Sequence, residues 1–217
     1  MSDLARFQHP RFAKAYQRIA AQSDARGGAA HRQRLLGGLS GRVIEVGAGN
    51  GRNFAHYPAT VTEVVAVEPE DRLRAFARHA AVAAPVPITV LAGHADALPA
   101  DDQSCNAAVV SLVLCSVPDP AGTLAEIRRV LRPNGQLRVY EHVRSAGWRG
   151  RIEDVITPIW SRAGGGCHPN RNTAEAIREA GFTIDDLDRF MFRFMPLLPA
   201  AAHILGTARR PSTPGAT

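Results

Sequence analysis

The chain of 217 residues holds only three cysteines, Cys105, Cys115 and Cys167. An odd, widely scattered set of this kind speaks against a disulfide framework and suits a reducing compartment. No segment reaches the roughly 18 to 20 unbroken apolar residues that a membrane span requires. The first residues, Met1-Ser2-Asp3-Leu4-Ala5-Arg6, lack the apolar run of a signal peptide. A cytoplasmic location is therefore expected. Lysine is nearly missing: Lys14 stands alone, and every other basic residue behind the formal charge of +6 is an arginine. The arginines are spread along the chain, with small clusters at Arg26, Arg32 and Arg34 and at Arg209 and Arg210, and no basic stripe is interleaved with aromatics. A nucleic-acid partner is not expected. Repeats and low-complexity blocks are absent as well, and nothing sets an oligomeric state. The length suits one domain with a core that needs no staples.

What is present is a strand-then-helix rhythm across residues 43–140, the mark of a parallel sheet with helices on both faces. Strands are predicted near 42–46, 63–67, 87–91, 107–113 and 136–142, with two more near 182–190 and 201–208. Helical patterns cover Asn50 to Tyr57, Glu70 to Ala84, Ala121 to Leu131 and residues 172–180, and Arg132-Pro133-Asn134-Gly135 ends the third of them. The first strand, Val43-Ile44-Glu45-Val46, runs directly into Gly47-Ala48-Gly49-Asn50-Gly51. Glycines at that point let the backbone turn sharply and come within contact distance of a ligand. The spacing G-x-G-x-G, with Arg52 where a third dinucleotide glycine would fall, departs from the dinucleotide fingerprint. Glu68 closes the second strand about 20 residues on, where an acid can accept both hydroxyls of a ribose.

The glycine loop resembles motif I of the class I S-adenosylmethionine (SAM) methyltransferases. Residues 43–140 are similar to their whole core, including Asp101-Asp102-Gln103-Ser104 and Leu131-Arg132-Pro133-Asn134-Gly135 at the expected places. Cys105-Asn106 departs from the aromatic-Asp pair common there. The resemblance implies a Rossmann-like α/β fold with a seven-stranded, mostly parallel sheet flanked by helices. SAM is the implied cofactor, with S-adenosylhomocysteine as product. The implied cofactor contacts are Gly47, Ala48, Gly49, Asn53 and Phe54 in the loop, Glu68 and Pro69 at the ribose, Ala95 and Asp96 at the adenine, and Ser111, Leu112 and Ser116 beside methionine and adenine. An Asn-Pro-Pro-aromatic tetrad is absent after the fourth strand, which argues against nucleobase or amide N-methylation.

A narrower resemblance lies outside the core. Gly51-Arg52-Asn53-Phe54-Ala55-His56-Tyr57-Pro58, Leu112-Val113-Leu114-Cys115-Ser116-Val117, Glu141-His142-Val143, Pro158-Ile159-Trp160 with Gly166-Cys167 and Asn172-Thr173, and His203-Ile204-Leu205-Gly206 are similar to the microsomal alkyl-thiol methyltransferases. Those relatives carry an apolar N-terminal anchor, a feature not expected here. A thiol acceptor is implied, sulfide or an apolar alkyl thiol. His142, at the end of the fifth strand, is the candidate base, with Glu141 orienting it or facing away and Asp119 as an alternative base. Cys115 is taken as core packing or substrate contact. Cys167 and His168, adjacent and without a second ligand pair at useful spacing, make a poor zinc signature, so no metal is expected.

The resulting expectation is one methyltransferase domain over 1–210: an N-terminal helical lid over 1–40, a SAM-binding core over 41–142, and an acceptor-side insert with the last strands over 143–210. Residues 211–217 read as a disordered tail. The helix near residues 10–19 has Phe12, Tyr16 and Ile19 on one face; a lid over the cofactor is one reading and peripheral contact with a membrane surface the other. Ile152, Val155, Ile156, Ile159 and Trp160 form either an apolar wall by the acceptor or a helix covering the sheet. Met191 to Leu198 adds another apolar cluster. Alternatives to the thiol are oxygen or carbon on a lipophilic quinone, polyketide or other secondary metabolite, a phospholipid amine, or a SAM-binding regulator without activity.

Overall fold

The computed structural model describes residues 4–196 and 198–212. The tail expected over 211–217 falls largely outside the described residues, as does Leu197 of the apolar cluster.

Seven strands form one sheet: β1 (Gly41–Val46), β2 (Val61–Val67), β3 (Ile88–Leu91), β4 (Cys105–Ser111), β5 (Leu131–His142), β6 (Thr183–Phe192) and β7 (Ala201–Arg209), ordered β3-β2-β1-β4-β5-β7-β6. The first five run parallel, and β7 pairs antiparallel with both β5 and β6. The central strands are covered on both faces, which is why they read as unbroken apolar runs such as Ala107-Ala108-Val109-Val110, all buried. β6 lies at the edge and instead carries Asp185, Asp186, Asp188 and Arg189, charges that discourage pairing with another chain.

Six α-helices accompany the sheet among the described residues: α1 (Pro10–Ser23), α2 (Ala29–Leu36), α3 (Asp71–Ala81), α4 (Pro120–Val130), α5 (Gly147–Ala163) and α6 (Thr173–Glu179). α1 and α2 are joined through a kink at Gly27, whose φ of 120° only glycine adopts cheaply. Glu70 caps α3 by accepting from the Leu73 amide, and Asp119 caps α4 by accepting from the Gly122 amide. That capping bond gives Asp119 a structural task at the start of α4.

Three local expectations are corrected. The helix predicted over Asn50 to Tyr57 is a tight loop with one 3-10 turn at Phe54–His56. Gly47, Gly49 and Gly51 all have positive φ, which no helix tolerates, and Tyr57 is drawn inward to donate to Glu45 at 2.6 Å. β4 ends at Ser111, two residues early, because Leu112 takes a left-handed φ of 62°. β5 begins at Leu131, opposite Cys105, loops out over residues 132–135 with Asn134 at φ 62°, and resumes with Gln136 opposite Ala107.

Candidate cofactor and acceptor site

The carboxyl ends of β1, β2 and β4 converge on the glycine loop, as the switch point of an open parallel sheet requires. The loop turns back at once: the Gly47 and Ala48 amides both donate to the Val67 carbonyl of β2, at 2.8 and 3.0 Å. A Cβ on Gly47 would stand 2.6 Å from the Val113 side chain, so only glycine fits. The Gly49 amide donates to Glu68 at 2.7 Å, and the second Glu68 oxygen accepts from the Glu70 amide at 2.9 Å. Burial pushes the Glu68 carboxyl up to about 7 against those two bonds.

Beneath the loop lies a buried polar network. Asn53 donates to Glu45 at 2.9 Å and accepts from Arg32 at 2.9 Å; Arg32 also donates to Asp24 at 3.1 Å and to Ser111 at 3.3 Å. Burial raises the Glu45 carboxyl to about 7, opposed by the Tyr57 and Asn53 bonds. Phe54 is 1% exposed and fills the core under Gly51. Asn53 and Phe54 are thus buried beneath the loop and support it from behind.

The remaining residues sit along the same rim. Asp96 accepts from Arg6 at 3.3 Å and from Thr123 at 3.4 Å, Ala95 is buried beside it, and the Pro69 carbonyl accepts from Gln8 at 2.9 Å. Leu112 and Ser116 flank the end of β4, and the left-handed turn at Leu112 is anchored by its amide donating to Tyr140 at 2.7 Å. The N-terminal segment crosses this rim. Phe7 stacks on His94 at 5.2 Å, the Tyr16 ring lies against Gly49, and the Phe12 ring lies against Gly165.

These groups fit SAM chemically. Two carboxylates, Glu68 at the end of β2 and Asp96 in the loop after β3, match its donors, a ribose diol and an adenine amine, and the glycine loop offers close backbone to its amino acid end.

On the β4–β5 side the structure assembles what the spacing concealed. His142 Nδ1 lies 3.5 Å from Cys167 Sγ and 3.8 Å from Cys115 Sγ, and the two sulfurs are 3.7 Å apart. The Cys115 bond and the adjacent His142 pull Cys167 well below the usual thiol range, whereas Cys115 is pushed up. Burial alone would lower His142, yet the bonded Cys167 outweighs it and the net direction is up. Cys115 is therefore more than core packing, and His168, whose amide donates to the Cys115 carbonyl at 2.7 Å, contributes backbone to the group. Glu141 faces the opposite side of β5 from His142 and accepts from the Val113, Leu114 and Cys115 amides at 2.8 to 3.1 Å. It holds the loop that presents Cys115.

Aromatic groups extend this side. His203 lies 4.3 Å from the His142 ring and 5.5 Å from Tyr140, and His31 meets Tyr140, Phe190 and Phe192. Sequence patterns gave no hint of His31, and His203 stood out only as part of a stretch similar to the alkyl-thiol methyltransferases, with no role attached. α5 leaves most of its apolar set uncovered: Val155 and Ile159 are 76% and 73% exposed, Trp160 is half-buried against Gly164, and the buried residues of the helix are Gly150 and Thr157. No helix among the described residues is long and apolar enough to cross a membrane.

Residues 44–139 match the methyltransferase domain family. The human thiol S-methyltransferase TMT1B is 34% identical over 186 residues, covering 80% of this chain and 73% of the relative. Human thiol S-methyltransferase TMT1A is 31% identical over 157 residues, 67% of this chain and 62% of the relative. Among solved structures, a SAM-dependent methyltransferase from Thermotoga maritima superimposes with a TM-score of 0.69 at 22% identity, over 92% of this chain and 97% of that one. The chain belongs to the class I SAM-dependent methyltransferases, in the family that includes the thiol S-methyltransferases.

Proposed function

We propose that this methyltransferase transfers the methyl group of SAM to a thiol, sulfide or an apolar alkyl thiol, giving methanethiol from sulfide or a methyl thioether from an alkyl thiol, together with S-adenosylhomocysteine. The observation that carries the assignment is the His142, Cys115 and Cys167 group at the acceptor end of β4 and β5. Its relatives' names point the same way.

In this proposal Gly47, Ala48 and Gly49 receive the amino acid end of SAM. Glu68, beside Pro69, accepts from the ribose hydroxyls; Asp96, beside Ala95, accepts from the adenine amine. Ser111, Leu112 and Ser116 line the methionine and adenine side, while Asn53 and Phe54 brace the loop. The described part of the expected lid, residues 4–40, closes over the site in this proposal, supported by Tyr16 over Gly49 and Arg6 on Asp96. A cytoplasmic location accords with three free cysteines.

Transfer from a sulfonium is an in-line displacement, and the protein's main task is to align the nucleophile with the methyl and the leaving sulfur. A free thiol with a pKa of about 8.5 is mostly protonated at neutral pH. His142, held against Cys167, is the proposed group that draws off its proton as the acceptor approaches.

The aromatic cluster of Tyr140, Phe190 and Phe192 around His203 favours a second acceptor class, a flat lipophilic quinol or phenol. Release of S-adenosylhomocysteine is measured with sulfide, alkyl thiols, quinols, phenols and phosphatidylethanolamine. Turnover of thiols is the expected result; turnover confined to quinols or phenols transfers the assignment to oxygen or carbon, and SAM binding with no turnover overturns the enzyme assignment.

A further inference from the structure

Cys115, His142 and Cys167 come from three separate segments, the turn after β4, the end of β5 and the loop after α5. Their ligand atoms lie within 4.8 Å of one another. The individual separations are 3.7 Å between sulfurs and 3.5 and 3.8 Å from each sulfur to Nδ1. Tetrahedral zinc with bonds of about 2.3 Å to sulfur and about 2.0 Å to nitrogen sets two sulfurs about 3.8 Å apart and a sulfur and a nitrogen about 3.5 Å apart. The three side chains already occupy three corners of such a tetrahedron.

The surroundings hold these corners in place. The Cys115 amide donates to Glu141 at 3.1 Å, and the Cys115 carbonyl accepts from His168 at 2.7 Å. Cys167 reaches its position because Gly166, at φ 87°, passes so close to Ser116 that an added Cβ would stand 2.9 Å from the Ser116 carbonyl oxygen. Cys115 is 1% exposed and Cys167 7%, so both sulfurs are shielded from bulk water. Arg171, anchored on the Leu114 carbonyl, adds positive charge beside both thiols.

We propose that Cys115, His142 and Cys167 form a zinc site with three protein ligands, whose fourth position takes the acceptor thiol. Two sulfurs and one imidazole select a borderline-soft ion such as zinc over magnesium or calcium, and a site with three protein ligands is the open, catalytic kind. The inference rests on the thiol assignment and deepens it. An entering thiol R–SH loses its proton to solvent on coordination. The bound thiolate then attacks the sulfonium methyl. The new S–CH3 bond forms as the methyl–sulfonium bond breaks, its electron pair going to the sulfur of S-adenosylhomocysteine, and the neutral thioether, a poorer ligand, departs. No oxidant or reductant enters. His142 serves as a ligand in this scheme, and the zinc takes over the lowering of the thiol's proton affinity.

The test uses the full chain, purified under reducing conditions. Zinc content is measured after extensive dialysis, and cobalt(II) is added to metal-free protein. The expected result is one zinc per chain and, with cobalt, a thiolate charge-transfer band together with intense tetrahedral visible bands that shift on addition of an alkyl thiol. Cys115→Ser and Cys167→Ser each weaken the metal by more than the roughly 10- to 100-fold that losing an outer-shell partner costs. X-ray absorption on the unaltered protein, expected to show two sulfurs and one imidazole at zinc, keeps the test independent of whether those variants fold. Absence of metal and of cobalt bands in protein that still binds SAM overturns the site, as does recovery of a Cys115–Cys167 disulfide that takes up no metal after reduction. Undiminished thiol turnover by metal-free protein removes the zinc role and leaves the thiol assignment standing. Bound zinc without any thiol turnover overturns the thiol assignment and the fourth-ligand role with it, while the metal site itself stands.

Discussion

The Gly49 amide and the Glu68 carboxylate meet at 2.7 Å, tying the loop after β1 to the end of β2 through the side chain proposed to receive the ribose. Glu68 is 5% exposed, and burial holds its carboxyl up at about 7 in the free protein. Hydroxyl groups donating to it favour the ionised form and lower that value on binding. SAM binding therefore releases a proton below about pH 7, and affinity is expected to rise with pH up to that point and level off above it, by at most about tenfold per pH unit. Calorimetry at pH 6 and pH 8, in buffers of different ionisation enthalpy, checks this. Glu68→Gln should bind more weakly by about tenfold and lose this pH dependence. Equal affinity at the two pH values in the unaltered protein rejects the ribose role.

Glu45 makes a separate prediction about stability. Its folded value, raised by burial to about 7, exceeds its ordinary value of 4.5. The folded state then holds a proton that the unfolded chain has given up, so this contribution is full below pH 4.5 and is lost as pH rises through about 7. The loss amounts to at most about 3 kcal/mol. Urea unfolding of ligand-free protein at several pH values should show it, and Glu45→Gln should flatten the profile. A profile identical in the variant removes Glu45 as the cause.

Two glycines separate backbone strain from steric exclusion. Gly47 and Gly147 have φ of 67° and 63°, but an added Cβ meets Val113 at 2.6 Å in the first case and nothing within 4 Å in the second. Gly147→Ala should cost only the left-handed backbone term of about 1 kcal/mol. Gly47→Ala should cost roughly 1 to 3 kcal/mol more, through overpacking, and weaken SAM binding as the loop shifts. Thermal unfolding of both variants with and without SAM reads the difference; equal losses would show that the loop yields without strain.

The proposed lid has its own handle. Gly165 touches the Phe12 ring, and a Cβ there would come within 2.6 Å of it. Gly165→Ala should push α1 off the rim and speed SAM dissociation in stopped-flow experiments, whereas Phe12→Ala combined with Gly165→Ala should add little to the single change. A strictly additive pair argues that α1 and this loop act independently.

Much of the core was legible because its signals are local. Apolar runs bounded by turn residues placed all seven strands within a few residues, and the glycines at 47, 49 and 51 announced the loop because glycine adopts those φ values at least cost and lets the backbone come close to a ligand. Glu68 was readable for the same reason: a strand end at a set distance from the loop is a property of chain order. The helix predicted over 50–57 failed where side-chain bonds intervened, since Glu45 on the preceding strand draws Asn53 and Tyr57 inward. The apolar stripe on α5 shows the other limit, for periodicity marks a face without saying what lies opposite it.

Residue order by itself determined the strands, the glycine loop and the acid at the end of β2, because each depends on neighbours within one strand-turn-helix unit. Only the tertiary structure decided that Cys115, His142 and Cys167 meet, that Glu141 turns away to hold the Cys115 loop, and that His31 and His203 join the acceptor side. Cys115 and Cys167 stand 52 positions apart, and their sulfurs come to 3.7 Å through parallel pairing of β4 with β5 and the tight passage at Gly166. Spacing along the chain carries no trace of a contact made by folding two distant turns onto one sheet edge.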